Sequence, residues 1–175
     1  MKTLRGKKCY LRALEPTDLN FLFQVENDET LWHLSNTMVP FSRYILSKYL
    51  ENSHKDIYEI KQLRLVICKV SDHKTLGFID LFDFDAKNKK VGVGIVIKSK
   101  TDMQKGYSFE ALTILCNYVF KFLGLHQVFA NILEDNTASI QLFEKAGFIK
   151  TGTKIDWIFA NGTYHNELQY QLIYE

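Results

Sequence analysis

Asn136-Thr137-Ala138-Ser139-Ile140-Gln141-Leu142-Phe143-Glu144-Lys145-Ala146-Gly147-Phe148 is the stretch on which the reading of this chain turns. Asn136 or Thr137 is placed to cap a helix, because a short side chain with an acceptor oxygen satisfies an amide that the first turn leaves free. Ile140 and Phe143 then share a face, with Leu142 and Ala146 close by. Gly147 supplies the left-handed residue on which many helices end. The spacing predicts a helix over Ala138 to Ala146. Taken alone, this is a capped amphipathic helix.

Upstream, Gln127 to Leu133 reads as a strand. Before it, Phe109 to Phe122 is the clearest helix, with Leu112, Leu115, Val119 and Phe122 on one face and Gly124 to end it. Met103-Gln104-Lys105-Gly106-Tyr107-Ser108 leads into that helix. A small-residue turn opening a helix presents unpaired amides, and together with the dipole these make an anion site. Gly106 lets backbone come close to a phosphate, and Lys105 adds charge. No Gly-Lys-Ser/Thr ends the turn, so it is not a Walker loop.

The remainder alternates strands and helices, which predicts a mixed α/β or α+β domain spanning residues 1–175. Strands are expected at Cys9–Leu14, Leu63–Val70, Thr75–Phe84 and Val91–Ile97, the last three as an antiparallel meander. Helices are expected at Asp18–Asn27 and after Ser42, with Glu29 to Ser42 as a connection. Asp156–Phe159 and Leu168–Ile173 complete the strands, around an Asn161-Gly162 turn. A 46 % apolar and 14 % aromatic composition supports a packed core. A net charge of +2 on scattered Lys and Arg argues against a dedicated nucleic-acid protein. Cys9, Cys68 and Cys116 are odd in number and far apart, so reduced core thiols in a cytoplasmic protein are expected, and no metal site. No apolar run is long enough for a membrane span, and Met1 to Lys8 lacks the apolar region of a signal peptide.

In this order the two segments resemble the GNAT superfamily of N-acetyltransferases. Gly106 matches the middle glycine of that family's Gln/Arg-x-x-Gly-x-Gly/Ala loop, while Met103 and Ser108 depart from it. Asn136, Ser139, Leu142, Glu144, Lys145, Gly147 and Phe148 match its later Asn-x-x-Ser-x-x-Leu-Tyr-Glu-Lys-x-Gly-Phe motif. The likeness runs from Tyr10-Leu11-Arg12 to Phe159-Ala160-Asn161-Gly162, and the tail looks most like ribosomal-protein N-terminal and spermidine acetyltransferases.

The resemblance implies a mainly antiparallel, splayed sheet of about seven strands with about four helices. It implies acetyl-CoA as cosubstrate, lying in the splay. Pantetheine would pair with Ile95, Val96 and Ile97, and the diphosphate would sit on Gln104, Lys105, Gly106, Tyr107 and Ser108. Asn136, Ser139 and Phe143 would complete the coenzyme contacts. Gly92 and Gly94 fit a strand that another backbone or ligand approaches closely.

Acyl transfer to an amine needs a neutral amine, donors for the developing oxyanion and assistance to the leaving thiolate. The family's usual tyrosine acid is replaced by Phe143, and Gly92 stands where a glutamate base is common. Asp83, Tyr107 and Glu134 are the substitute candidates. Asp83 is expected on one face with Ile79, Leu81 and Asp85, and Asp80 on the other with Phe78, Phe82 and Phe84. Glu26, Asp28 and Glu29 form an acidic group that could draw in a cationic acceptor, a polyamine, a small amine or a peptide N-terminus. A catalytically weakened acyl-CoA-binding module is the alternative, and an RNA-associated protein with a lysine face is a weaker third. A homodimer is left open.

Overall fold

The computed structural model describes residues 3–35 and 37–174. Seven strands form one sheet in the order β1-β2-β3-β4-β5-β7-β6. They are β1 (Cys9–Arg12), β2 (Leu63–Lys69), β3 (Thr75–Asp85), β4 (Lys90–Ile97), β5 (Gln127–Leu133), β6 (Ile149–Ala160) and β7 (Thr163–Ile173). Every neighbouring pair is antiparallel except β4 and β5, which are parallel. This is the expected α+β architecture.

The helices are α1 (Leu19–Glu26), α2 (Glu29–Ser35), α3 (Arg43–Glu51), α4 (Ile57–Ile60), α5 (Tyr107–Lys121) and α6 (Thr137–Lys145). About four were expected. The two additions, α2 and α4, are short and bury no residue fully, so no apolar stripe announces them. The predicted Asp18 start is instead a 3-10 turn, Pro16–Asp18, that runs into α1. Ser42 caps α3 as its position implies, accepting from the Ile45 amide at 3.2 Å.

Strand alternation sorts the core onto two faces. On one face Leu65, Ile67, Ile79, Leu81, Val91, Val93, Val128 and Ala130 pack with Ala111, Leu112, Leu115 and Val119 of α5. On the other, Val66, Cys68 and Phe78 pack with Leu22 and Val25 of α1 and Leu46 and Leu50 of α3. Each fully buried leucine contributes about 1.5–3 kcal/mol relative to exposure.

One face assignment is corrected. The β3–β4 register shifts between Phe82 and Asp85, and Asp83 takes a left-handed φ of 50°. The extra residue turns Phe84 onto the Ile79 and Leu81 face, where it is buried, and leaves Asp83 exposed. Beyond the core, β6 and β7 extend as a long hairpin closed at Asn161 and Gly162, both at positive φ. Ile155, Trp157, Phe159 and Tyr164 are exposed on it. The two final strands expected from sequence are thus segments of longer ones, Asp156–Phe159 next to the turn and Leu168–Ile173 at the far end of β7.

Candidate active site between two parting strands

The parallel pairing of β4 with β5 covers only Lys90–Gln127, Val91–Val128 and Gly92–Phe129. Past that point β4 has no partner on its β5 side, although β3 stays registered along it to Ile97. β5 likewise keeps β7 to Leu133. The two strands therefore part, and the edge of β4 from Val93 to Ile97 offers unpaired N–H and C=O groups. Ile95, Val96 and Ile97, to which the resemblance assigns the pantetheine arm, lie on this open edge.

Gly92 shows what closes the narrow end of the gap. A Cβ there would lie 2.3 Å from Phe82 Cε2, so the Phe82 ring occupies the space of a side chain. That ring meets Phe129 edge-on, with centroids 5.7 Å apart. At Gly94 the nearest atom to such a Cβ is Phe82 Cε1 at 3.9 Å, so the slot is open there. Asn131, exposed on β5 two residues past Phe129, brings an amide to the same face. Nothing in its sequence context marks it, because only the parting of the strands exposes it.

Where β4 leads on towards α5, the chain prepares an anion cradle. Gly106 precedes α5 with φ 85° and no side chain caps that helix. Among the described residues, the amides of residues 104–109 donate to no protein group. Gln104 also has positive φ, at 59°, and successive amides in such alternating conformations form a nest for anions. Cations stand on both sides. Lys8 Nζ donates to the Lys105 carbonyl at 2.9 Å, 3.0 Å from where a Gly106 Cβ would be. Lys145 of α6 lies 4.9 Å from the Phe109 ring centroid. Asp102 anchors the loop from beneath: it is buried, and the Lys74 ammonium at 2.8 Å holds its carboxyl below the usual range.

The α6 residues sit as follows. Asn136 Oδ1 caps α6 by accepting from the Ser139 amide at 3.2 Å, while its Nδ2 has no protein partner among the described residues. Ser139 is half-buried. Phe143 is buried against Phe148, with centroids 4.9 Å apart, so it serves the core.

The three candidate proton carriers are not brought together. Asp83 is exposed on the bulge. Tyr107 lines a depression of about 320 Å³ with Lys7, Lys8, Lys69 and Ser71, at the β1–β2 side of the sheet. Glu134 spends both oxygens on Asn166, accepting from its backbone N at 3.1 Å and its Nδ2 at 3.0 Å, which ties β5 to β7. The three cysteines are free and buried. Burial, helped at Cys9 by Glu110, pushes the Cys9 thiol to about 12, and burial alone takes Cys116 to about 12, so neither is a nucleophile at neutral pH.

The face that carries Gly94 holds charge of its own. Asp80 is registered with Gly94 and with Arg64 on β2. Arg64 donates to both Asp80 oxygens, at 2.7 and 2.9 Å, and to Glu26 of α1. Burial opposes the guanidinium charge, but Asp80 and Glu26 raise it above its ordinary range. The acidic group expected at Glu26, Asp28 and Glu29 is thereby divided: Glu26 turns inward, Asp28 accepts from Thr30, and Glu29 is exposed.

A sheet parted between two parallel strands, with an uncapped helix start beyond the opening, is the architecture of a coenzyme-A-dependent acyltransferase. The chain belongs to the GNAT acetyltransferase family: residues 8–149 match the family described as the acetyltransferase (GNAT) domain. Members of this family draw the acetyl group from acetyl-CoA, the cosubstrate expected from the sequence. The chain is 28 % identical over 161 residues to the SPbeta prophage-derived uncharacterized N-acetyltransferase YokL of Bacillus subtilis, covering 92 % of this chain and 87 % of that one. It is 24 % identical over 159 residues to a spermidine N(1)-acetyltransferase of Vibrio cholerae, covering 89 % and 87 %. In three dimensions it resembles the crystal structure of spermidine N-acetyltransferase from Vibrio cholerae in complex with CoA and spermine, with a TM-score of 0.85, 23 % identity and 96 % of each chain covered. That likeness establishes the fold. Among the described residues no helix is long and apolar enough to cross a membrane.

Proposed function

We propose that this N-acetyltransferase passes the acetyl group of acetyl-CoA directly to a primary amine, drawn from small amines, polyamines and peptide or protein N-termini. The observation that carries the reading is the opening of β4 from β5 beyond Gly92 and Phe129, next to uncapped amides at 104–109. The free edge Ile95–Ile97 would hold the pantetheine amides, and residues 104–108 with Lys8 and Lys145 the diphosphate. Asn136 Nδ2 is free to add a hydrogen bond.

Proton transfer is the weak part of this machinery. With Phe143 in the core and Phe82 over Gly92, neither usual carrier is present. General acid–base help supplies about 10²- to 10⁴-fold, whereas holding reactants together contributes up to about 7–11 kcal/mol. Positioning at the gap is therefore the main catalytic device, with the thiolate leaving unassisted. The buried free cysteines support a reducing, cytoplasmic setting.

A thiol-release assay with acetyl-CoA and a panel of amines tests the proposal, alongside calorimetry with CoA. Turnover above background is expected. Coenzyme binding with no turnover on any amine would favour the acyl-CoA-binding module, the reading to which the missing carriers point.

A further inference from the structure

Charge pairing on the acceptor side of the gap narrows the acceptor, given the acetyl-transfer reading above. An amine reaching the open end of the gap passes the Gly94 slot, on the face shared by Asp80, Arg64 and Phe82. Every carboxylate anchored on this face already has a cation. Asp18 receives both Arg12 nitrogens at 2.7 and 2.8 Å. Asp80 and Glu26 share Arg64, whose guanidinium is also stacked near Tyr49 and Phe78 at 5.7 and 5.4 Å. Following Gly94 and Val96 on the same face, Lys98 adds a further ammonium, bonded to Gln24 and 5.6 Å from the Phe21 ring. Three cations, Arg12, Arg64 and Lys98, thus stand against three carboxylates, Asp18, Glu26 and Asp80. The formal sum is zero, and the remaining wall is aromatic: Phe21, Phe78 and Phe82.

We infer that the acceptor carries a single cationic nitrogen, on a small monoamine or a peptide N-terminus, and that polyamines are poor substrates. One ammonium can hydrogen-bond to a lone pair that Arg64 leaves free on the Asp80 carboxylate beside the slot, and it loses its proton to water. A second or third ammonium along the same chain finds Arg64 or Lys98 and no unmatched carboxylate on this face. A site that matches charges in this way discriminates by repulsion as much as by attraction. Asp28, whose carboxylate is bonded only to Thr30 among the described residues, and Glu29, exposed in the first turn of α2, keep their charge but stand at the α1–α2 junction, outside the strands that line the slot.

The test measures kcat/KM by thiol release for phenethylamine, for a lysine-free tripeptide with a free N-terminus, and for spermidine and spermine. CoA binding is followed by calorimetry in the same buffer. At least one singly charged acceptor is expected to exceed both polyamines by roughly tenfold or more. The two singly charged probes separate a small-amine enzyme from a peptide one. Lys98→Glu, which converts a fixed ammonium to a carboxylate, is expected to raise the spermidine-to-monoamine ratio by roughly tenfold. A polyamine as best substrate, or a ratio unmoved by Lys98→Glu, overturns the inference and leaves acetyl transfer standing. CoA binding without turnover of any of the four amines overturns the transfer reading, and the inference falls with it.

Discussion

Two helices of this protein begin in opposite ways. α6 starts with Asn136 folded over its first turn, so an acceptor meets the Ser139 amide from within the chain. α5 starts at Gly106 with no cap, and the amides from 104 to 109 have no protein partner among the described residues. A third run of amides, at Lys7, Lys8 and Cys9, shows what the protein does when it wants such a run closed. All three donate to the Glu110 carboxylate, at 3.0, 2.7 and 2.7 Å. The protein thus supplies acceptors at Lys7–Cys9 and at the start of α6 and leaves the amides free at the start of α5, where the proposed coenzyme diphosphate would lie.

That contrast is broken most severely at Gly106. Gly106→Asp places a carboxylate on the cradle and forces a side chain into φ 85°. CoA affinity is expected to fall by about 100-fold or more, equivalent to about 2.7 kcal/mol, read by calorimetry. Unchanged affinity would mean that the diphosphate lies elsewhere.

Glu110→Gln is the next largest, and acts on stability. Amide bonds to a charged acceptor contribute about 1.5–3 kcal/mol, so the melting temperature should drop by about 3–12 °C at neutral pH. Burial alone would raise the Glu110 carboxyl, but the Cys9, Lys8 and Lys7 amides outweigh it and hold the group below its ordinary 4.5. The stability it contributes is present above 4.5 and is lost as pH falls through the lower folded value. The gap between the two melting temperatures should therefore narrow as pH falls from 4.5 into the acid range; a gap that does not narrow would contradict this.

Asn136→Ala removes the α6 cap, worth about 1 kcal/mol, and should lower the melting temperature by about 2–4 °C. CoA affinity should fall only a few-fold, through the lost Nδ2. A loss as large as that at Gly106 would erase the distinction between the two helix starts. The smallest effects are expected at the bulge and the β5 end. Asp83→Asn and Glu134→Gln should leave kcat within about threefold, since one group is exposed and the other is bound to Asn166.

Local features were the readable ones. The α6 motif, the Gly106 turn and the strand alternation each declare themselves within a dozen residues, and the parting of β4 from β5 followed from family resemblance. What escaped depends on distant partners. Glu110 reads as an acid in a first helical turn, and only the fold brings residues 7–9 onto it across a hundred positions. Arg64 reads as a strand residue, yet it sets the charge beside Gly94 by meeting Asp80 and also Glu26, 38 positions away. The bulge at Asp83 breaks the alternation from which its face was inferred, and no glycine or proline marks it.

Phe82 over Gly92 carries a consequence for how this protein could change. A glutamate at 92 requires the Phe82 ring to turn aside, because its first carbon would otherwise lie 2.3 Å from the ring. Shrinking residue 82 first would open a cavity against Phe129. The two positions are therefore coupled, and the effect of a side chain at 92 depends on what stands at 82. Phe82 thus works as a plug: what can be installed at 92 is conditional on where that ring sits.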